Sequence, residues 1–258
     1  MPALPSATTR FFVLTFAITW GLQLPGVFAQ RGLLPGPMPV YLALAGLGIF
    51  GPMVAATVLA FHDAGGAGAR QLYTPLLRWR VHPGWYVVAV VVPGLLFTLL
   101  LTGLNLAGRA GPTSYFPASG AIAFALVISV AEEVGWRGYA LPRLEQRFGA
   151  FAASTLLGVI WYLWHLPMFV GQGRPLDLVL VKLLYFTGAS LMFNWIYKGT
   201  NGSLLLAVLT HVGGHLNNSF RALPDEVAPL VAQSIIYAGL GLCLMRRSLE
   251  VRQFARAR

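Results

Sequence analysis

Stretches of roughly twenty mainly apolar residues, long enough to cross a bilayer as helices, recur along nearly the whole chain. Inside a bilayer each backbone polar group has to be satisfied within the protein, which selects helices or closed barrels. The runs are continuous and do not alternate, so helices are the reading. Eight such stretches are recognised, at approximately 11–29, 40–61, 85–106, 120–136, 151–171, 178–197, 203–220 and 227–245. Breakers separate them: Pro35-Gly36-Pro37, Gly65-Gly66-Ala67-Gly68, Gly111-Pro112 and Gly173-Arg174-Pro175. At 57% hydrophobic and 10% charged residues, with a mean hydropathy of +0.68, the chain is too apolar for an ordinary soluble domain. The expected fold is all-α: a polytopic membrane protein with about eight transmembrane helices in one bundle. No repeat or long linker divides the chain, so residues 1–258 are read as a single transmembrane domain.

A net charge of +10 invites comparison with nucleic-acid binders. The basic residues, however, are scattered between apolar runs and gathered at the C-terminus, which is how membrane topology is written. No nucleic-acid partner is expected. Counted on alternate sides, thirteen Lys and Arg fall with the two termini and four on the opposite side, Lys182 lying inside the sixth stretch. Both termini are therefore expected to be cytoplasmic, and the first stretch is read as a retained span. The basic tail after Met245 suits an anionic bilayer surface. The single cysteine, Cys243, has no partner for a disulfide.

Five ionisable groups, Glu132, Glu133, His165, His211 and His215, interrupt the apolar runs, and such groups at membrane depth mark functional sites. Glu132 and Glu133 follow the uncharged run 121–130. On a helix Glu133 and Arg137 stand at i,i+4 and can pair, whereas Glu132 is rotated by roughly 100° and has no local cation. The fifth stretch carries Trp161 and His165, with Pro167 loosening the helix just beyond. The seventh carries His211 and His215 on one face, with Asn218 continuing the stripe and Gly213-Gly214 leaving the other side bare. Trp85, Trp136, Tyr139, Trp195 and Tyr197 lie near span ends and read as interfacial anchors. Residues 138–149 alternate apolar with basic positions, which suits either a short interfacial helix or a plain loop.

A carboxylate facing an imidazole in a partly dehydrated cavity can hold and deprotonate a water, and a second imidazole can donate to the oxygen that becomes negative. These are the parts needed for attack of water on a peptide carbonyl. The same set, Glu132 with His165, His211 and His215, is compatible with Zn²⁺ or another divalent metal. It lacks the Glu directly after the first His that marks the common helical zinc-protease motif. Depth is the difficulty for either chemistry. Glu132 stands near the end of its stretch, while His165 is about 20 Å along the next. Convergence requires the fourth helix to extend past Trp136 or the fifth to begin later.

Glu132-Glu133-x-x-x-Arg137-Gly138, then Leu141-Pro142-x-Leu144 and Arg147-Phe148-Gly149, resembles the first signature of the CPBP membrane proteins. That family includes Ras-type CAAX-processing proteases and bacteriocin self-immunity proteins. Trp161 with His165 resembles the second signature, with Trp where Phe is more usual, and Gly202-Ser203-Leu204 leading to His211 resembles the third. The resemblance covers residues 121–220. It implies an intramembrane endopeptidase in a bacterial plasma membrane, acting on a membrane-associated peptide or protein. It implies further that Glu132 and His165 activate the hydrolytic water, that His211 helps stabilise the oxyanion, and that Glu133 and Arg137 support the site. The family's third signature ends in Asn four residues after its His, and here that position is His215. Three accounts stay open: His215 donates in place of the Asn, Asn218 takes over from one turn further, or the extra imidazole favours a metal. Two rival functions keep the same architecture, a non-catalytic immunity or export-assisting membrane protein and a proton-coupled transporter.

Overall fold

The computed structural model describes residues 6–90, 120–219 and 227–256, with a few positions between 103 and 108; side chains are described outside 216–230, 233 and 247–256. Among these residues all regular structure is helical. Helix α1 (Ala7–Gln30) starts at Ser6, whose hydroxyl accepts from the Thr9 N–H at 3.2 Å, satisfying one of the first-turn donors that a helix leaves open. It corresponds to the first predicted span. The second predicted span is instead two helices, α2 (Met38–Gly48) and α3 (Gly51–Tyr73), bent by 48°. Pro52 is the reason: it has no N–H to continue a helix but is well suited to begin one. A second break in α3 falls at Gly65, with φ +56°. The third predicted span lies mostly outside the described residues.

Helix α4 (Ala121–Glu133) runs without interruption into a π-helical segment, Val134–Ala140, and this into α5 (Leu141–Trp164). Within α5 the chain turns at Gly149, φ +75°, a conformation that glycine adopts without steric penalty. Helical backbone therefore continues well past Trp136, and the corner of the hairpin is Gly149. Sixteen residues separate Glu133 from that corner and twelve separate it from Trp161. The two arms are close enough in length to bring Trp161 of the second signature to Glu132, while His165 stays outside the group that Glu132 forms with His211 and His215. The segment 138–149, for which both helix and loop suited the pattern, is helical.

After α5, His165 ends the helix and the short α6 (Leu166–Gly171) follows. Then come α7 (Leu176–Gly199), α8 (Leu204–Ser219) and α9 (Val227–Arg256). Ala7–Gln30, Ala121–Gly171 and Leu176–Gly199 are long and apolar enough to cross a membrane, and the bent pair Met38–Gly48 with Gly51–Leu77 makes a fourth. Leu204–His215 and Ser234–Arg246 are shorter apolar helices. The chain is a helical membrane protein. Its outward faces agree: Ile122, Phe124, Val127 and Leu180 are all more than half exposed or close to it, a burden that only lipid removes from water.

Close helix approach brings the elements around α4 together. A Cβ on Gly135 would lie 2.5 Å from the Pro52 Cβ, and one on Gly158 would lie 2.6 Å from the Thr187 Cα. Glycine at these two positions lets α3 meet the π-helical segment and lets α5 meet α7. Helix α1 is tied to both sides of this core. The Thr19 hydroxyl donates to the Gly48 carbonyl at 2.7 Å and accepts from the Trp164 indole at 2.8 Å.

Two expectations are corrected here. Trp136 and Tyr139 are not interfacial anchors but fully buried, Trp136 edge-on to Phe11 and Trp164 and Tyr139 stacked on Phe11 at 5.1 Å. The π-helical segment turns them inward against α1. Arg137, counted with the loop cations, is fully buried in the protein, so twelve of the original thirteen basic residues remain on the side of the termini.

Candidate active site

The two acids of α4 are separated as helix geometry predicts. Glu133 Oε1 accepts from Arg137 NH1 at 2.7 Å and from His211 Nδ1 at 2.8 Å, while Glu132 Oε2 accepts from the Trp161 indole N–H at 2.6 Å. All of these groups are buried, Glu133 and Arg137 completely. Glu133 is thus a buried structural carboxylate shared by two donors, and Glu132 has an aromatic N–H instead of a cation. The Arg137 guanidinium lies between the rings of Trp161 and Phe193, 4.7 and 4.6 Å from their centroids. Its Nε and NH2 find no hydrogen-bond acceptor among the described residues, and the negative ring faces supply attraction in its place.

The histidines fall into two groups. His211 and His215 stack at 4.6 Å with 14° between their rings, as i,i+4 placement on one helix requires. One carboxylate oxygen of Glu132 and one ring nitrogen from each of these histidines lie within 4.8 Å of one another. His165 is outside this group. Its Nδ1 lies 2.8 Å from the Trp161 carbonyl. A carbonyl only accepts, so Nδ1 carries the proton and Nε2 keeps its lone pair. The ring packs among Trp164, Phe169 and Phe186. Trp161 stands between the two groups, with its ring 5.9 Å from His165 and 5.4 Å from His211. Of the site residues expected from the sequence, the fold therefore gathers Glu132, His211 and His215, backs them with Glu133 and Arg137, and leaves His165 one ring away. The Asn218 side chain lies outside the described residues.

Reading the residues did not reveal three partners. The Trp161 N–H on Glu132 was readable only as an aromatic position in a signature, although tryptophan is the one large aromatic with a ring N–H to offer. The Glu133 bond to His211 joins residues 78 apart and left no local trace. The third is a polar clamp in α7. Asn194, fully buried, donates to Glu145 Oε1 at 2.9 Å and to the Ser154 hydroxyl, and Lys198 donates to Glu145 Oε2 at 2.8 Å. It fastens α5, on both sides of Gly149, to α7.

Residues 113–217 match the family model described as type II CAAX prenyl endopeptidase, Rce1-like. The matched region contains all three signatures that surround the buried carboxylates. A relative from Methanococcus maripaludis, named CAAX prenyl protease 2, is 24% identical over 256 residues, covering 88% of this chain and 92% of the relative. The chain is similar to the Rce1-like endopeptidases across the region that holds the site. These similarities support a protease, and the buried acids and imidazoles lie in the part of the chain that the family model covers. A Glu/His group able to take a metal ion is part of that region.

Proposed function

We propose that this protease hydrolyses a peptide bond of a membrane-embedded or membrane-tethered peptide with a water held at Glu132. The observation that carries the proposal is the buried convergence of the Glu132 carboxylate with His211 and His215 within 4.8 Å. Glu132 takes the proton of the attacking water. His165, with a free Nε2 lone pair, receives or relays that proton toward the leaving amine. His211 donates from Nε2 to the developing oxyanion when its ring is protonated at both nitrogens, Nδ1 being held by Glu133. His215 is the second donor, standing where the family resemblance has an Asn. Glu133 and Arg137 orient His211 and touch no substrate. Both termini face the cytoplasm of a bacterial plasma membrane, a topology supported by the twelve basic residues on their side.

A specific observation also favours a metal version of this site. Glu132, His211 and His215 form a donor set suited to Zn²⁺ or another divalent ion. The Glu133 carboxylate on His211 Nδ1 is the outer-shell bond that turns the other ring nitrogen toward a metal. The residues fit the ion, which would supply Lewis-acid activation of water and carbonyl. Glu132→Gln tests the shared core of both versions: cleavage of a membrane-tethered reporter is lost while protein abundance is unchanged. A Glu132→Gln variant that still cleaves at the wild-type rate refutes the proposal.

A further inference from the structure

Trp161 makes more contacts to the site than any role as a packing ring requires. Its indole N–H donates to Glu132 Oε2 at 2.6 Å, its carbonyl accepts from His165 Nδ1 at 2.8 Å, its ring covers the Arg137 guanidinium, and its edge meets His211. The side chain is 4% exposed and Glu132 is 3% exposed, so no water competes for the N–H. A carboxylate has two oxygens and a free torsion about its last carbon–carbon bond. With Oε2 fixed by a buried donor, rotation is arrested and the second oxygen is presented in one direction only.

We infer that Trp161 is a positioning residue for Glu132: the indole N–H locks one carboxylate oxygen and so aims the other at the reacting water. A phenyl ring in the same place would fill most of the volume and keep the aromatic contacts to His165, His211 and Arg137, but it could not lock the carboxylate. The hold on His165 comes from the backbone carbonyl and survives any change of side chain. Trp161 therefore acts on the acid through its side chain and on the imidazole through its main chain, and the two effects are separable by mutation.

This inference rests on Glu132 being the group that holds the water. The test is Trp161→Phe in the full-length protein, purified in detergent or reconstituted, with Trp20→Phe as a matched loss of an indole N–H, one that bonds the Trp164 carbonyl. Trp161→Phe is expected to lower kcat about 10- to 100-fold, as loss of a charge-assisted hydrogen bond in the transition state does. KM should stay within about twofold, because substrate contacts are intact. Trp20→Phe leaves both unchanged. A purely structural role would lower the amount of folded enzyme without this division between kcat and KM. A second readout needs no turnover. The indole N–H vibration assigned to Trp161, obtained by subtracting the ultraviolet resonance Raman spectrum of Trp161→Phe from wild type, should show a strongly bonded N–H that weakens in Glu132→Ala. Wild-type kcat in folded Trp161→Phe overturns the inference, as does a Trp161 band that is indifferent to Glu132→Ala. A fully active Glu132→Gln enzyme overturns instead the reading on which it rests.

Discussion

Replacing Glu133 by Ala removes the carboxylate that is hydrogen-bonded to a completely buried guanidinium. Glu133 and Arg137 are 0% exposed and pair at 2.7 Å, and the same oxygen holds His211 at 2.8 Å. Breaking a buried pair from one side leaves an uncompensated charge and costs about 3–5 kcal/mol. The loss of the bond to His211, which strands a buried ring N–H, adds about 1–3 kcal/mol. The two do not add fully, because both donors share one acceptor oxygen. Glu133→Ala should therefore lose roughly 3–6 kcal/mol, read as a fall in thermal midpoint in detergent and in the yield of monodisperse protein. The companion measurement decides the cause. Glu133→Leu combined with Arg137→Met replaces the pair by apolar groups of similar volume and should recover most of the stability while remaining inactive, because His211 has lost its orienting carboxylate. A Glu133→Ala protein that melts with wild type would refute the division of labour between the two acids. So would a double variant no more stable than Glu133→Ala alone.

Gly135→Ala should destabilise by about 1–3 kcal/mol, because its Cβ would lie 2.5 Å from Pro52; a melting curve identical to wild type would show that α3 can retreat freely. Asn194→Leu, which strands buried partners on Ser154 and Glu145, should cost about 1–3 kcal/mol. Lys198→Met, which breaks a partly exposed pair to Glu145, should cost less than about 1 kcal/mol, and comparison of the two melting curves checks that order. If a metal serves the site, His215→Asn should lower the metal content of the purified protein and the affinity for added Co²⁺, followed by its visible absorption, while His165→Ala leaves both unchanged. Equal loss in the two variants would place His165 among the ligands.

Much of this architecture was legible because membrane helices announce themselves by length. The first span, the i,i+4 pairing of Glu133 with Arg137, the stacking of His211 on His215 and the freedom of Glu132 from a local cation all follow from helical periodicity in a single segment. What was not legible required either a break or a distant partner. Pro52 divides a run whose hydropathy is continuous, so the second span appears whole to any count of apolar residues. Trp136 and Tyr139 carry the composition of interfacial anchors, and only the π-helical turn from Val134 to Ala140 rotates them onto Phe11. The bonds from Trp161 to Glu132 and from His211 to Glu133 span 29 and 78 residues, distances over which spacing carries no signal.

The arrangement also explains how two adjacent carboxylates persist inside an apolar bundle. One is neutralised in place: Glu133 and Arg137 cancel, and the guanidinium surplus is spread over two aromatic faces. The other, Glu132, accepts from the neutral indole N–H of Trp161, which limits its torsion. A cation at that position would have paired it off and left nothing to act on water, whereas no partner at all would have left a buried carboxylate free to turn away. An indole N–H sits between these extremes. The hairpin with its corner at Gly149 is what makes the contact available, since it returns Trp161 to the level of the acids. A shift of that corner by inserting two residues after Gly149 should therefore rotate Trp161 off Glu132 by about 200° and abolish cleavage. A four-residue insertion, which restores the rotation to within about 40° but displaces the indole by about 6 Å along the axis, should also be inactive. Activity retained in both insertions would mean that the bond to Trp161 is not what fixes the acid.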